Sequence, residues 1–150
     1  KGWSYGVNGR IALTHNAAPY LISAPVQANR TGDSILALNQ QIKSMLTSKG
    51  VNDEELTRTI ANLSQALPGQ FESSEAVLSA MQQNALFGRP DNYYETLAGR
   101  YRALDKSAMD RALRAALDPN GFVWVVVGDA KTVKPQLDKL GIPVEVATVR

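Results

Sequence analysis

The chain has 150 residues, enough for one domain with a sizeable core, and carries 16 basic against 14 acidic side chains for a net charge of +2. The basic residues are scattered among acids rather than gathered on one stripe, which argues against nucleic acid as a partner. The chain has no cysteine, which excludes disulfides, thiolate metal ligands and a cysteine nucleophile, and no apolar run approaches the roughly 18 residues that would span a membrane.

The first residues, Lys1-Gly2-Trp3-Ser4-Tyr5, show neither an initiator Met nor a signal-peptide pattern and read as an internal start. Tyr5, Val7, Gly9, Ile11 and Leu13 then alternate with small or polar residues, the period of a half-buried strand. Asn16-Ala17-Ala18-Pro19 breaks the run. Tyr20, Ile22, Ala24, Val26 and Ala28 alternate again, which predicts an antiparallel hairpin. Pro25 lacks a ladder donor and favours an edge or a bulge.

From Thr31 the period becomes helical. Ile35, Leu38, Ile42 and Met45 share a face, and Gly50 closes the segment. Asn52-Asp53-Glu54-Glu55 is a helix start, with Asn52 as cap, Glu55 reaching back and the acids at the positive end of the dipole. That helix directs Leu56, Ile60, Leu63 and Leu67 inward and stops at Pro68-Gly69. A third helix begins near Ser74 and ends near Phe87, with Val77, Leu78, Met81 and Ala85 inward. Asp91 or Asn92 caps a fourth, carrying Tyr94, Leu97, Tyr101 and Leu104. Asp105 or Ser107 caps a fifth, with Met109, Leu113 and Leu117 on one face. After the turn Asp118-Pro119-Asn120-Gly121 comes the uninterrupted apolar run Phe122-Val123-Trp124-Val125-Val126-Val127. Its lack of polar alternation predicts a central strand covered on both faces. A short helix over 133–140, closed by Gly141, and a last strand over 143–148 complete the order. This pattern predicts an α+β fold: a small, mainly antiparallel sheet of about four strands under a layer of helices, in one domain.

Chemistry-bearing patterns are few. His15 is the single histidine, and no His-x-x-Glu-His motif accompanies it, so the chain has no zinc site of its own by sequence. No Gly-x-Ser-x-Gly elbow is present. Gly2, Gly6 and Gly9 precede or interrupt a strand instead of opening a helix, so they let backbones bend or approach closely and do not cradle phosphate. Asp53, Glu54 and Glu55 are accounted for by helix capping. Tyr94 and Tyr101, seven apart on one helix face, read as core, as do both tryptophans.

Three ordered stretches resemble one family. They are Lys1-Gly2-Trp3-Ser4-Tyr5-Gly6; Val51-Asn52-Asp53-Glu54-Glu55-Leu56 followed by Leu67-Pro68-Gly69-Gln70-Phe71-Glu72; and Leu117-Asp118-Pro119 through Val125-Val126-Val127-Gly128-Asp129. Together they resemble the C-terminal, non-zinc-binding domain of pitrilysin/insulinase-like zinc metallopeptidases, a group that shares its fold with mitochondrial processing peptidase.

The resemblance implies an α+β domain of ferredoxin-like character, here lacking its first strand and helix. It also implies a chamber wall in a zinc-dependent endopeptidase, inactive alone, with zinc in an N-terminal peptidase domain or a zinc-binding partner subunit and a peptide as substrate. Tyr5 matches the family tyrosine that contacts the peptide backbone near the scissile bond. Its neutral phenol would donate to the developing oxyanion, while the bland alternative is a strand tyrosine packed in a core with its hydroxyl at the rim. The alternative function is a catalytically silent structural or partner subunit of the same fold. An uncovered sheet edge implies self-association. A cysteine-free chain suits a bacterial periplasm as well as a cytoplasm, and the periplasm is favoured.

Overall fold

The computed structural model describes residues 1–14 and 16–147. Among them the chain is mostly helical, 57%, with six α-helices and a two-stranded antiparallel sheet. In chain order the elements are β1 (Asn8–Ile11), β2 (Tyr20–Ser23), α1 (Thr31–Ser44), α2 (Asp53–Ala66), α3 (Ser74–Leu86), α4 (Tyr93–Arg102), α5 (Lys106–Ala116) and α6 (Ala130–Asp138). The contacts divide the chain into two compact units, one of Lys1–Met45 with Asp118–Arg150 and one of Leu46–Leu117. No helix among the described residues is long and apolar enough to cross a membrane.

In the first unit β1 and β2 form the expected hairpin, with Asn8 opposite Ser23 and Ile11 opposite Tyr20. Beyond Ile11 the ladder continues through Ala12 N–H to Pro19 O at 2.9 Å and Thr14 N–H to Ala17 O at 2.8 Å. Hydrogen-bonded and non-bonded pairs alternate in an antiparallel ladder, so Tyr20 and Ile22 turn their backbone groups away from β1. The Tyr20 ring lies over Gly9, where a Cβ would collide with it. Towards the N-terminus Ser4 pairs with Val26. Residues 5–7 on one side and 24–25 on the other separate this isolated bridge from the hairpin and belong to no strand.

Helix α1 packs on α6 through one side chain in particular. Arg30, at the N-cap of α1, offers no capping bond. Instead Gln136 of α6 accepts from Gly32 N–H at 3.2 Å and donates to Ala28 O at 2.8 Å. A Cβ on Gly32 would sit 3.1 Å from Gln136 Cβ, so glycine permits this close approach and a larger residue would have to push Gln136 back by a few tenths of an ångström. Ile35 and Val133 are buried at this contact.

The expected sheet of about four strands does not form, and neither does its ferredoxin-like arrangement; two strands pair and helices dominate. Residues 122–127 were expected as a central strand covered on both faces. They keep the alternation of an extended chain, with Phe122 and Trp124 half-buried while Val123 is 87%, Val125 85% and Val127 95% exposed. No backbone hydrogen bond holds them among the described residues. A β-branched run favours an extended backbone but cannot supply the neighbouring strand that makes a ladder. Residues 143–147 likewise form no strand, and Thr148 lies outside the described residues.

The second unit is helical, and its caps are local chemistry. Asn52 accepts from the N–H groups of Glu54 (2.9 Å) and Glu55 (3.1 Å), Ser73 from Ala76 and Asp105 from Ala108 at 2.7 Å. Gly50, with φ +64°, ends the segment that follows α1. Two inward faces differ from expectation. The segment after α1 is a π-turn, Met45–Lys49, whose extra residue per turn rotates the face, so Leu46 is buried and Met45 exposed. On α3 the covered stripe runs through half-buried Ala76 and Ala80 to buried Asn84, which leaves Val77, Leu78 and Met81 exposed. Leu97 of α4 and Leu67 are buried, and Leu63 is exposed where Ser64 is buried.

Candidate functional site

Tyr5 sits at the tip of a small turn in the first unit. Ser4 Oγ donates to Gly6 O at 2.7 Å and accepts from Gly6 N–H at 3.1 Å, which fixes the backbone on either side of Tyr5. Before the turn, Gln27 N–H donates to Trp3 O at 2.9 Å and Ser4 bridges to Val26. The Trp3 ring is covered by two cations, Lys1 Nζ at 4.8 Å and Arg30 Cζ at 5.5 Å from its centroid. Arg30 is itself paired with Asp33 at 3.0 Å. The turn is therefore pinned, and the Tyr5 side chain projects from it fully exposed. Tyr5 is not packed in a core.

Val26, which pairs with Ser4, also lines an open groove of about 400 Å³ in the same unit. Its deep lining is Ile35 and Ser34 of α1 and Val133 of α6, all buried. Its shallow lining consists of two stretches, Ile22, Ala24 and Val26 from β2 onward and residues 124–128. These two stretches make no hydrogen bond to each other. The Ser34 hydroxyl is buried with no hydrogen-bond partner, an arrangement that costs about 1–3 kcal/mol until a partner arrives.

The other residues singled out by sequence fall elsewhere. Asp53, Glu54 and Glu55 form the first turn of α2, as capping predicts, and Asp53 also meets Lys106 at 3.3 Å. Tyr94 is half-buried and packs edge-on against Phe71 and Tyr93, with ring centroids 5.1 Å apart in each pair. Two guanidinium groups flank Tyr93, Arg89 at 4.5 Å and Arg100 at 5.4 Å. His15 lies outside the described residues. Among the described residues no three His, Cys, Asp or Glu side chains are grouped to share a metal ion.

One carboxylate is electrostatically tuned. Asp129 caps α6, accepting from Thr132 Oγ1 at 2.7 Å and from Lys131 N–H at 3.2 Å. These bonds, the Thr132 hydroxyl foremost, hold its carboxyl below the ordinary 3.8. The role is structural, since the group stands at a helix start.

Sequence reasoning missed the groove. Its signal was present in the run 122–127, but that run was read as a strand already covered. Compared with protein-family models and with curated proteins, the chain matches none.

Proposed function

We propose that this chain is the non-catalytic C-terminal part of a zinc-dependent endopeptidase of the pitrilysin/insulinase type, forming part of the substrate chamber. In this reading Tyr5 contacts the peptide backbone near the scissile bond. The observation that supports it is the presentation of Tyr5: a fully exposed phenol on a turn braced by Ser4 and by the pairing of Trp3 and Ser4 with residues 26–27. The bonds around Ser4 fix the backbone that presents the phenol, which narrows where its hydroxyl can reach as charge develops nearby. The three ordered sequence motifs support the same reading.

Zinc held by a partner domain or subunit would supply the Lewis acid that polarises the scissile carbonyl. From this chain, the Tyr5 O–H donates a hydrogen bond to the carbonyl oxygen as it gains negative charge. Removing one such donor costs about 2.7–4 kcal/mol of barrier. In the enzyme assembled with its zinc-bearing partner, Tyr5→Phe is expected to lower kcat by about 10²–10³-fold while the far-UV circular dichroism stays unchanged. Unchanged turnover would remove Tyr5 from the chemistry and favour the catalytically silent subunit.

A further inference from the structure

We infer that the groove between β2 and residues 124–128 is a docking site for an extended, uncharged β-strand of a second polypeptide. The inference uses only this groove and stands apart from the peptidase reading.

Two observations define the occupant. The first is the backbone of residues 122–127, extended by its exposure pattern and without a hydrogen bond among the described residues. An extended backbone of this kind presents a row of donors and acceptors at strand spacing, the template for strand addition. Ile22, on the groove's other shallow stretch, also turns its N–H and C=O away from β1.

The second observation is the apolar lining: Ile35, Leu38 and Val133 below, Ile22, Val26 and Trp124 above. None of the fifteen lining residues is charged, so a charged side chain entering the groove would lose water without gaining a partner. A purely apolar occupant such as a lipid tail would leave the backbone groups of 122–127 unpaired. A β-strand meets both demands, with alternate apolar side chains for the bottom and a ladder for the backbone.

The probe is an acetylated octapeptide of alternating Val and Thr with a dye at its C-terminus, titrated into the 150-residue chain and followed by fluorescence anisotropy. Saturable one-to-one binding is expected, together with slowed amide exchange in residues 122–127. The same composition with a central Pro is expected not to bind, since it lacks a donor in the ladder.

Val125→Pro and Val126→Pro separate a ladder from a greasy contact. Neighbouring N–H groups on a strand point to opposite edges, so one of the two variants should weaken binding about tenfold and the other leave it nearly unchanged. Neither residue makes a backbone hydrogen bond among the described residues, so neither change removes one there. Equal effects of the two prolines, or no binding of the octapeptide, would overturn the inference. So would a dimer of the free chain, seen by light scattering, that Val125→Pro or Val126→Pro dissolves, because the occupant would then be a second copy.

Discussion

Residues 122–127 in one unit and α3 in the other both hold apolar side chains in water, yet their situations differ. On α3, Val77, Leu78 and Met81 are exposed, but the helix closes its own backbone hydrogen bonds. Only hydrocarbon surface is left over, and scattered exposure of that kind is ordinary. Along 122–127 the valines are exposed and, among the described residues, the peptide groups make no backbone hydrogen bond. The comparison shows why apolar exposure alone is weak evidence for docking. An unpaired backbone adds a directional demand that few occupants satisfy.

Amide exchange tests that contrast most directly. Amides of residues 122–127 are expected to exchange at nearly the rate of an unstructured peptide, while those in the interior of α3 are slower by a factor on the order of 10³. Comparable protection in the two regions, measured by NMR or mass spectrometry on the free chain, would mean that 122–127 has a ladder after all. The contrast would then collapse.

The next largest effect concerns the bottom of the groove. Ile35→Ala removes buried hydrocarbon where α1 meets the groove and α6, and should cost about 2–4 kcal/mol in urea unfolding. A loss under about 1 kcal/mol, the range of a surface change, would show that the bottom is loosely packed and that the groove is a gap without a floor.

What could be read in the sequence follows the range of the forces involved. The caps at Asn52 and Asp105 and the stop at Gly50 depend on neighbours a few residues away, and each is found where its residues stand. The hairpin forms too, but its ladder runs on through Pro19 and Ala17, so the expected break at Asn16-Ala17-Ala18-Pro19 falls partly inside it. The inward face of α3 was misread because an apolar stripe says which side could be buried, whereas packing decides which side is. The covered side carries the small residues Ala76 and Ala80, both half-buried, and only Asn84 is fully buried. The π-turn at Met45–Lys49 shifted the face by one residue in a way that periodicity cannot register. Residues 122–127 were misread for a third reason: the run specifies a conformation, and a strand also needs a partner that no local pattern encodes. Tyr5 was legible only as a match to a family motif. Its exposure and the bracing by Ser4 are properties of the folded chain.

Gly50 sharpens the helical side of the comparison. Its φ of +64° suits glycine, and a Cβ there would lie 2.8 Å from Asp110 Oδ2. That same carboxylate accepts from Val51 N–H at 2.7 Å. Gly50→Ala should therefore cost at least about 1–2 kcal/mol from backbone strain alone. It would also push Asp110 off Val51 and create in this unit the kind of unpaired N–H that the other unit already carries. A variant as stable as the parent, with the Val51 amide still protected, would mean that the π-turn can end without a left-handed residue.

The smallest expected effect lies at Asp129, where the unpaired segment gives way to α6. Its carboxyl titrates below 3.8 because Thr132 and Lys131 donate to its charged form. A depressed folded value means that the cap contributes in full above the unfolded value and is lost as pH falls through the folded one. The start of α6 should thus hold from neutral pH down to about 4 and loosen only below that. Amide exchange at Lys131 and Thr132 should quicken there before α2 or α4 is affected. Asp129→Asn keeps an acceptor oxygen without the charge, so it should preserve the start of the helix and abolish its acid sensitivity. If the variant and the parent loosen at the same pH, the acid response comes from elsewhere in the unit, and the start of α6 is held by packing at Val133 instead of by this cap.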